Sequence, residues 1–119
     1  MSVLFVDDDA DIIETYEMYA ESKDLAFNKA LNGVEAWELL QTRSYDLVIT
    51  DLRMPQMDGI ELIKKIKTEM KDDIPTVVAV TGDAELLHTM KKTFDSIVAI
   101  SKPFSPEDLD ELLESVGLA

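Results

Sequence analysis

The chain has 119 residues, of which 46% are hydrophobic, a length and a share typical of one globular domain. It has no cysteine and one histidine, which excludes disulfide frameworks, thiolate zinc sites, cysteine nucleophiles and clusters of imidazole ligands. Eleven basic against 25 acidic residues give a net charge of −14, which argues against direct binding to nucleic acid or to an anionic membrane. No apolar run approaches the roughly 20 residues of a membrane span, and the acidic N-terminus does not resemble a signal peptide, so a cytoplasmic protein is expected.

Short apolar runs rich in Val, Ile and Leu predict strands that are buried on both faces. The first run ends abruptly in acidic residues, Asp7 and Asp8, and the third also ends at an acid, Asp51. In chain order, the strands are expected at residues 3–6, 25–31, 47–50, 76–80 and 97–100.

Amphipathic stretches between these runs predict helices, because their apolar residues recur at spacings of three and four. Asp11 with Glu14 three residues later resembles a capping pair at the start of the first helix. Ser105-Pro106 predicts the start of the last helix, since proline suits a first helical turn. In chain order, the apolar stripes span residues 12–20, 36–40, 60–70, 86–90 and 109–116.

The regular alternation of strand and helix predicts an α/β fold, a doubly wound parallel sheet of five strands with five helices on both faces. No linker or internal repeat interrupts the pattern, so residues 1–119 are expected to form a single domain. A sheet of this kind binds its ligand outside the carboxyl ends of its strands. The residues that follow each strand are therefore the candidate site.

The predicted strand ends carry Asp7-Asp8, Asp51, Thr81 and Lys102. Three neighbouring carboxylates repel one another unless a cation intervenes, and Mg²⁺ suits a site of few carboxylates completed by water and phosphate. The Lys102 ammonium and the Thr81 hydroxyl would then contact phosphoryl oxygens, an arrangement for phosphoryl transfer with a carboxylate as nucleophile. The plainer alternative is that aspartates follow strands only as helix caps and turn formers.

Four segments carry motifs whose order and spacing are distinctive: VDD at 6–8, YDLVITDLRMPQMDG at 45–59, VTG at 80–82 and SKPF at 101–104. With these motifs, the sequence resembles the receiver domain of bacterial two-component response regulators, of which the chemotaxis regulator is a single-domain example. The resemblance covers essentially the whole chain. It implies a flavodoxin-like fold with strand order 2-1-3-4-5, and a phosphoacceptor signalling domain rather than an enzyme acting on other substrates.

The resemblance also implies residue roles. Asp51 would accept a phosphoryl group from the phosphohistidine of a histidine kinase or phosphotransfer protein. Asp8, Asp51 and the main-chain carbonyl of Arg53 would bind Mg²⁺ directly, and Asp7 would act mainly through a metal-bound water. Mg²⁺ is thus the expected cofactor.

Lys102 would contact the phosphoryl group, and Thr81 would be drawn toward it by a hydrogen bond. The face made by the fourth helix, fifth strand and last helix would then repack and present a surface to an output domain or target protein. The Lys102-Pro103 bond in this family is commonly cis. The resemblance leaves the oligomeric state open.

Two features depart from the family pattern or add to it. Ala99 stands three residues before Lys102, where the family usually has an aromatic side chain that rotates inward, so the aromatic half of the usual switch is absent. Arg53 and Asp83 each lie two residues after a site residue, and we hypothesise an ion pair between them across the mouth of the site. Such a pair would hinder the attacking water and lengthen the phosphorylated lifetime; the alternative is two solvated side chains.

Two other functions stay open at this point. A small phosphatase similar to the haloacid dehalogenases would use Asp7 as nucleophile and Asp9 as a second acid, with Thr81 and Lys102 in supporting roles. A pseudo-receiver would bind partners without phosphorylation, which Ala99 favours and the intact acidic site does not. The phosphatase and the receiver differ in which aspartate becomes phosphorylated, Asp7 or Asp51.

Overall fold

The computed structural model describes residues 1–94 and 97–117. The strands are β1 (Ser2–Val6), β2 (Ala26–Ala30), β3 (Leu47–Asp51), β4 (Thr76–Thr81) and β5 (Val98–Ser101). The helices are α1 (Ala10–Ser22), α2 (Gly33–Thr42), α3 (Gly59–Glu69), α4 (Ala84–Thr93) and α5 (Pro106–Ser115). None of the helices within these ranges is long and apolar enough to cross a membrane.

The five strands form one parallel sheet in the order β2-β1-β3-β4-β5. This confirms the predicted doubly wound α/β class and the strand order 2-1-3-4-5. The register sets Val6 beside Thr50, Asp51 beside Val80 and Thr81 beside Ser101. The carboxyl ends of four neighbouring strands therefore lie along the same edge.

Alternate residues of each central strand belong to two separate hydrophobic layers. In β1, Val3 and Phe5 pack beneath α1 and α5, whereas Leu4 and Val6 pack beneath α2, α3 and α4. Helices thus cover both faces of the sheet, and burial on both faces explains why the strands appear in the sequence as continuous apolar runs.

The start of α1 differs from the expectation. Asp9, in extended conformation, is the N-cap, and its Oδ1 accepts a hydrogen bond of 2.9 Å from the amide of Asp11. The predicted Asp11–Glu14 pair was wrong, because the chain turns into the helix two residues earlier and leaves Asp11 in the first turn. At α5 the expectation is confirmed: Ser105 forms a reciprocal capping box with Asp108, and a proline opens the helix.

Strand boundaries differ by one residue in several places. β2 is shorter at both ends than the predicted 25–31, and β5 begins at Val98 and includes Ser101. β3 and β4 each continue one residue beyond the prediction, so that Asp51 and Thr81 are the last residues of their strands. This extension holds the backbone of both residues in the ladder of the sheet.

Candidate functional site

The carboxyl edge of the sheet gathers the predicted site residues. Asp7 directly follows β1, Asp51 ends β3, Thr81 ends β4 and Lys102 directly follows β5. The amide of Lys102 donates a hydrogen bond of 2.9 Å to the carbonyl of Thr81, which fixes the start of the loop after β5. Parallel pairing in register is what brings side chains from distant parts of the chain to one place.

Three carboxylates form the centre of the site. Asp7, Asp8 and Asp51 each present an oxygen, and these oxygens all lie within 4.8 Å of one another. Asp7 has no exposed surface and Asp51 is 8% exposed, whereas Asp8 lies at the surface. This set of hard oxygen donors, open on one side to water, fits a magnesium ion.

Lys102 provides the positive charge within this cluster. Its Nζ lies 2.9 Å from Oδ2 of Asp7 and 3.2 Å from Oδ2 of Asp51. Burial alone would lower the pKa of Lys102, but the hydrogen bond and charge of Asp7 and the charge of Asp51 together raise it. Burial raises the pKa of Asp7, and the bonds from Lys102 and from the Asp9 amide offset only part of that effect.

The carboxylate of Asp51 is oriented by its own backbone. Oδ1 accepts a hydrogen bond of 2.7 Å from the amide of Leu52 and a longer one of 3.4 Å from the amide of Arg53. Oδ2 faces the ammonium of Lys102. The two oxygens are therefore held in distinct environments, one against the main chain and one within the charged cluster.

Thr81 is buried, and its hydroxyl oxygen accepts a hydrogen bond of 3.1 Å from the amide of Asp83. The side chain of Asp83 caps α4 through the amide of Leu86 at 3.1 Å, and its second oxygen accepts a hydrogen bond from the guanidinium of Arg53. The Leu86 amide first, and Arg53 second, lower the pKa of Asp83. The predicted Arg53–Asp83 ion pair is thus confirmed as a contact.

Two glycines hold the loop between β3 and α3. The amide of Gly33 donates to the carbonyl of Met57 at 2.9 Å, and the amide of Gly59 donates to the carbonyl of Leu52 at 3.1 Å. A Cβ at Gly59 would lie 2.0 Å from the carbonyl oxygen of Asp51. The Asn32-Gly33 and Asp58-Gly59 pairs were the available signals, but the close approach depends on tertiary packing.

Behind the cluster, aromatic rings support the loop that carries Lys102. The Lys102-Pro103 peptide bond is cis. Phe104 stacks on Tyr16 with 5.3 Å between ring centroids, and Tyr16 stacks on Phe5 with 4.5 Å. This column links the loop after β5 to the core beneath α1.

Comparison with known proteins assigns the chain to a family. The model of the response regulator receiver domain matches residues 3–114. A chemotaxis protein CheY homolog of Campylobacter jejuni is 42% identical over 93 residues, which cover 74% of this chain and 69% of that protein. The response regulator Rre1 of Synechocystis is 31% identical over 122 residues, and the match covers 98% of this chain but only 51% of Rre1.

Solved structures agree with this assignment. The chemotaxis response regulator CheY4 of Vibrio cholerae is similar with a TM-score of 0.85 and 26% identity, and the match covers 97% of both chains. A CheY-like receiver domain from Methylobacillus flagellatus is similar with a TM-score of 0.85 and 25% identity over 98% of both chains. The chain therefore belongs to the receiver-domain family of response regulators, the signalling proteins of two-component phosphorelay systems.

Proposed function

We propose that Asp51 is the phosphoacceptor and that the donor is the phosphohistidine of a histidine kinase or phosphotransfer protein. The observation that carries this proposal is the position of the Asp51 carboxylate, which shares one cluster with Asp7 and Asp8 and lies 3.2 Å from the Lys102 ammonium. An oxygen of Asp51 attacks phosphorus, and the bond from phosphorus to the imidazole nitrogen breaks. The nitrogen keeps the bonding electrons and takes a proton from solvent, so that neutral imidazole leaves. The product is an acyl phosphate on Asp51.

The other site residues have supporting roles in this proposal. Asp7, Asp8, Asp51 and the main-chain carbonyl of Arg53 would hold Mg²⁺, which when bound supplies positive charge beside the transferred group. Lys102 donates to a phosphoryl oxygen, because its ammonium already reaches the acceptor carboxylate. Thr81 turns its hydroxyl from the Asp83 amide toward the phosphoryl group.

The output of the domain is proposed to pass through the face formed by α4, β5 and α5. A groove of about 490 Å³ lies along this face, with Lys91 on its α4 side, Ala99 on β5 and Glu111 on its α5 side. Such a groove suits a target protein or an output domain. Residues 1–119 are proposed to act as one receiver unit.

The phosphatase alternative requires Asp7 as nucleophile, and the geometry opposes this. The Asp7 side chain has no exposed surface, and its oxygens bind Lys102 and the amide of Asp9. The pseudo-receiver alternative is opposed by the complete cluster of Asp7, Asp8, Asp51 and Lys102. Ala99 in place of the usual aromatic residue is the one feature that favours the pseudo-receiver, and the geometry of the described residues adds nothing for either alternative.

Intact mass after incubation with acetyl phosphate tests the proposal. Wild type, Asp51→Asn and Asp9→Asn are compared with and without Mg²⁺; asparagine at position 9 keeps the cap of α1. We expect one Mg²⁺-dependent phosphoryl adduct in wild type and in Asp9→Asn, and none in Asp51→Asn. An adduct that persists in Asp51→Asn would overturn the proposal, and its location on the peptide that contains Asp7 would favour the phosphatase.

A further inference from the structure

The main chain of Arg53 contacts the acceptor, whereas its side chain binds Asp83. Its main-chain amide is 3.4 Å from Oδ1 of Asp51, whereas its guanidinium binds Asp83, two residues beyond the end of β4. The Arg53 side chain is 70% exposed and the Asp83 side chain 30% exposed. The guanidinium therefore connects the segments that follow β3 and β4, at the solvent side of the site.

Asp83 joins three parts of this region. Its amide donates to the hydroxyl oxygen of Thr81, one carboxylate oxygen caps α4, and the other binds Arg53. A change of partner at either Thr81 or Arg53 thus reaches the first turn of α4 through one residue. The cap through Leu86 does not depend on the guanidinium and would persist without it.

Charge balance decides what Arg53 does when the acceptor is modified. Three carboxylates, Asp7, Asp8 and Asp51, are offset by the ammonium of Lys102 and by the two charges of a magnesium ion. Phosphorylation replaces the single charge of Asp51 by a phosphoryl charge of about −1.5 to −2, which leaves the cluster negative. The guanidinium of Arg53, two residues from the acceptor, is attracted to the phosphoryl group because arginine binds phosphate oxygens with two parallel hydrogen bonds. Its present ion pair with a carboxylate is exposed and therefore weak.

We propose that Arg53 is a phosphoryl-binding residue that exchanges Asp83 for the phosphoryl group on Asp51. The inference rests on the proposed function of Asp51. In the unphosphorylated domain Asp83 holds the guanidinium aside. In the phosphorylated domain Arg53 covers the phosphoryl oxygens and hinders the attacking water. Asp83 then releases both Arg53 and the Thr81 hydroxyl, and it keeps its cap on α4 through the amide of Leu86.

The rate of hydrolysis of the adduct distinguishes this exchange from an Arg53–Asp83 ion pair that persists after phosphorylation. Domain phosphorylated with acetyl phosphate and Mg²⁺ is freed of donor, and loss of the adduct is followed by intact mass. We expect Arg53→Ala to lose the adduct several-fold faster than wild type, and Asp83→Asn, which keeps the cap of α4, to match wild type. Equal acceleration in both variants would show a persistent pair and overturn the exchange, as would an unchanged rate in Arg53→Ala.

A spectroscopic readout observes the guanidinium itself. The chain has two arginines, and Arg43 binds Asn28 far from the site, so Arg43→Ala assigns the two side-chain signals of ¹⁵N-labelled arginine. We expect the Arg53 signal of Asp83→Asn to differ from that of wild type before phosphorylation and to coincide with it afterwards. An Arg53 signal that does not move on phosphorylation, or that still depends on Asp83 afterwards, would overturn the exchange.

Different results would refute the two proposals, Asp51 as phosphoacceptor and the exchange of partners by Arg53. The adduct is measured by mass in every sample, so its absence in wild type would refute Asp51 as acceptor and the exchange that rests on it. An adduct with a stationary Arg53 signal would refute the exchange alone. Arg43→Ala is expected to match wild type in both phosphorylation and hydrolysis.

Discussion

The ammonium of Lys102 donates a hydrogen bond of 2.9 Å to Oδ2 of Asp7, a carboxylate with no exposed surface. The same Nζ also donates a hydrogen bond of 3.2 Å to Oδ2 of Asp51, so one positive charge is shared between two largely buried carboxylates. A buried charge costs stability unless it is fully compensated. Without a bound cation, the clustered negative charges at the site therefore lower the free energy of unfolding of the domain.

Substitution Asp7→Asn is expected to stabilise the metal-free domain at neutral pH by about 1 kcal/mol. Burial raises the pKa of Asp7 above its usual 3.8. The protonated Asp7 side chain therefore makes its full contribution to the free energy of unfolding below about pH 3.8, and this contribution is lost as the pH rises through the folded-state pKa. The advantage of the variant over wild type should therefore grow from acidic to neutral pH. Chemical denaturation at several pH values without Mg²⁺ measures it.

The change in stability on addition of Mg²⁺ is the control for the Asp7→Asn substitution. Wild type is expected to gain stability on addition of Mg²⁺, since a ligand that binds only the folded state stabilises it. Asp7→Asn should gain much less. An Asp7→Asn variant that is less stable than wild type at neutral pH would contradict the account of a costly buried carboxylate.

Substitution Lys102→Ala is expected to destabilise the metal-free domain by about 1–3 kcal/mol, because it leaves Asp7 and Asp51 without their shared partner. Much of the loss should be recovered with Mg²⁺, which restores positive charge to the cluster. Thermal unfolding with and without Mg²⁺ measures both effects. Lys92→Ala, at an exposed position on α4, is the control and should behave as wild type; a loss in Lys102→Ala that Mg²⁺ does not reduce would count against this interpretation.

Gly59→Ala is expected to disturb the acceptor directly. Its Cβ would lie 2.0 Å from the carbonyl oxygen of Asp51 and 2.7 Å from the Cα of Leu52, both backbone atoms that cannot move without shifting the acceptor. We expect a loss of about 1–3 kcal/mol and slower phosphorylation by acetyl phosphate. Gly82→Ala, where the closest neighbour is Lys102 Cβ at 3.9 Å, should change stability by less than about 0.5 kcal/mol. Similar losses in both variants would be inconsistent with the described packing.

The three tyrosines are expected to ionise only as the domain unfolds. Burial, first among the causes, raises the pKa of Tyr16, Tyr19 and Tyr45 above 10, so stability is fully present below about pH 10 and is lost as pH rises further. Tyr19 also donates a hydrogen bond of 2.6 Å to Asp110, which ionisation would abolish. Tyrosinate absorbance and circular dichroism, followed in one alkaline titration, should change together; tyrosinate signal from all three rings before unfolding would refute the expectation.

Much of the fold could be predicted because the sheet is parallel and buried on both faces. Each central strand then appears as an apolar run, and the topology alone collects the residues at the strand ends. That is why the sequence alone indicates Asp7, Asp51, Thr81 and Lys102 as candidate site residues. Arg53–Asp83 followed from the same logic, since each residue lies two positions beyond a strand end.

The rest depended on how the chain turns. Asp9 and Asp11 have the same side chain, and the length of the β1–α1 connection decides which of them caps the helix. The roles of Gly33 and Gly59 arise from backbone approaching backbone across the molecule, which no local pattern contains. Strand ends were displaced by one residue wherever pairing with a neighbour continued past the apolar run.

The most direct test of the central claim is to identify the modified residue chemically. The domain is treated with acetyl phosphate and Mg²⁺, the acyl phosphate is reduced with borohydride, which converts a phosphorylated aspartate to homoserine, and the peptides are sequenced by mass spectrometry. The account predicts homoserine at position 51. Homoserine at position 7 or 8 with Asp51 unmodified would contradict it.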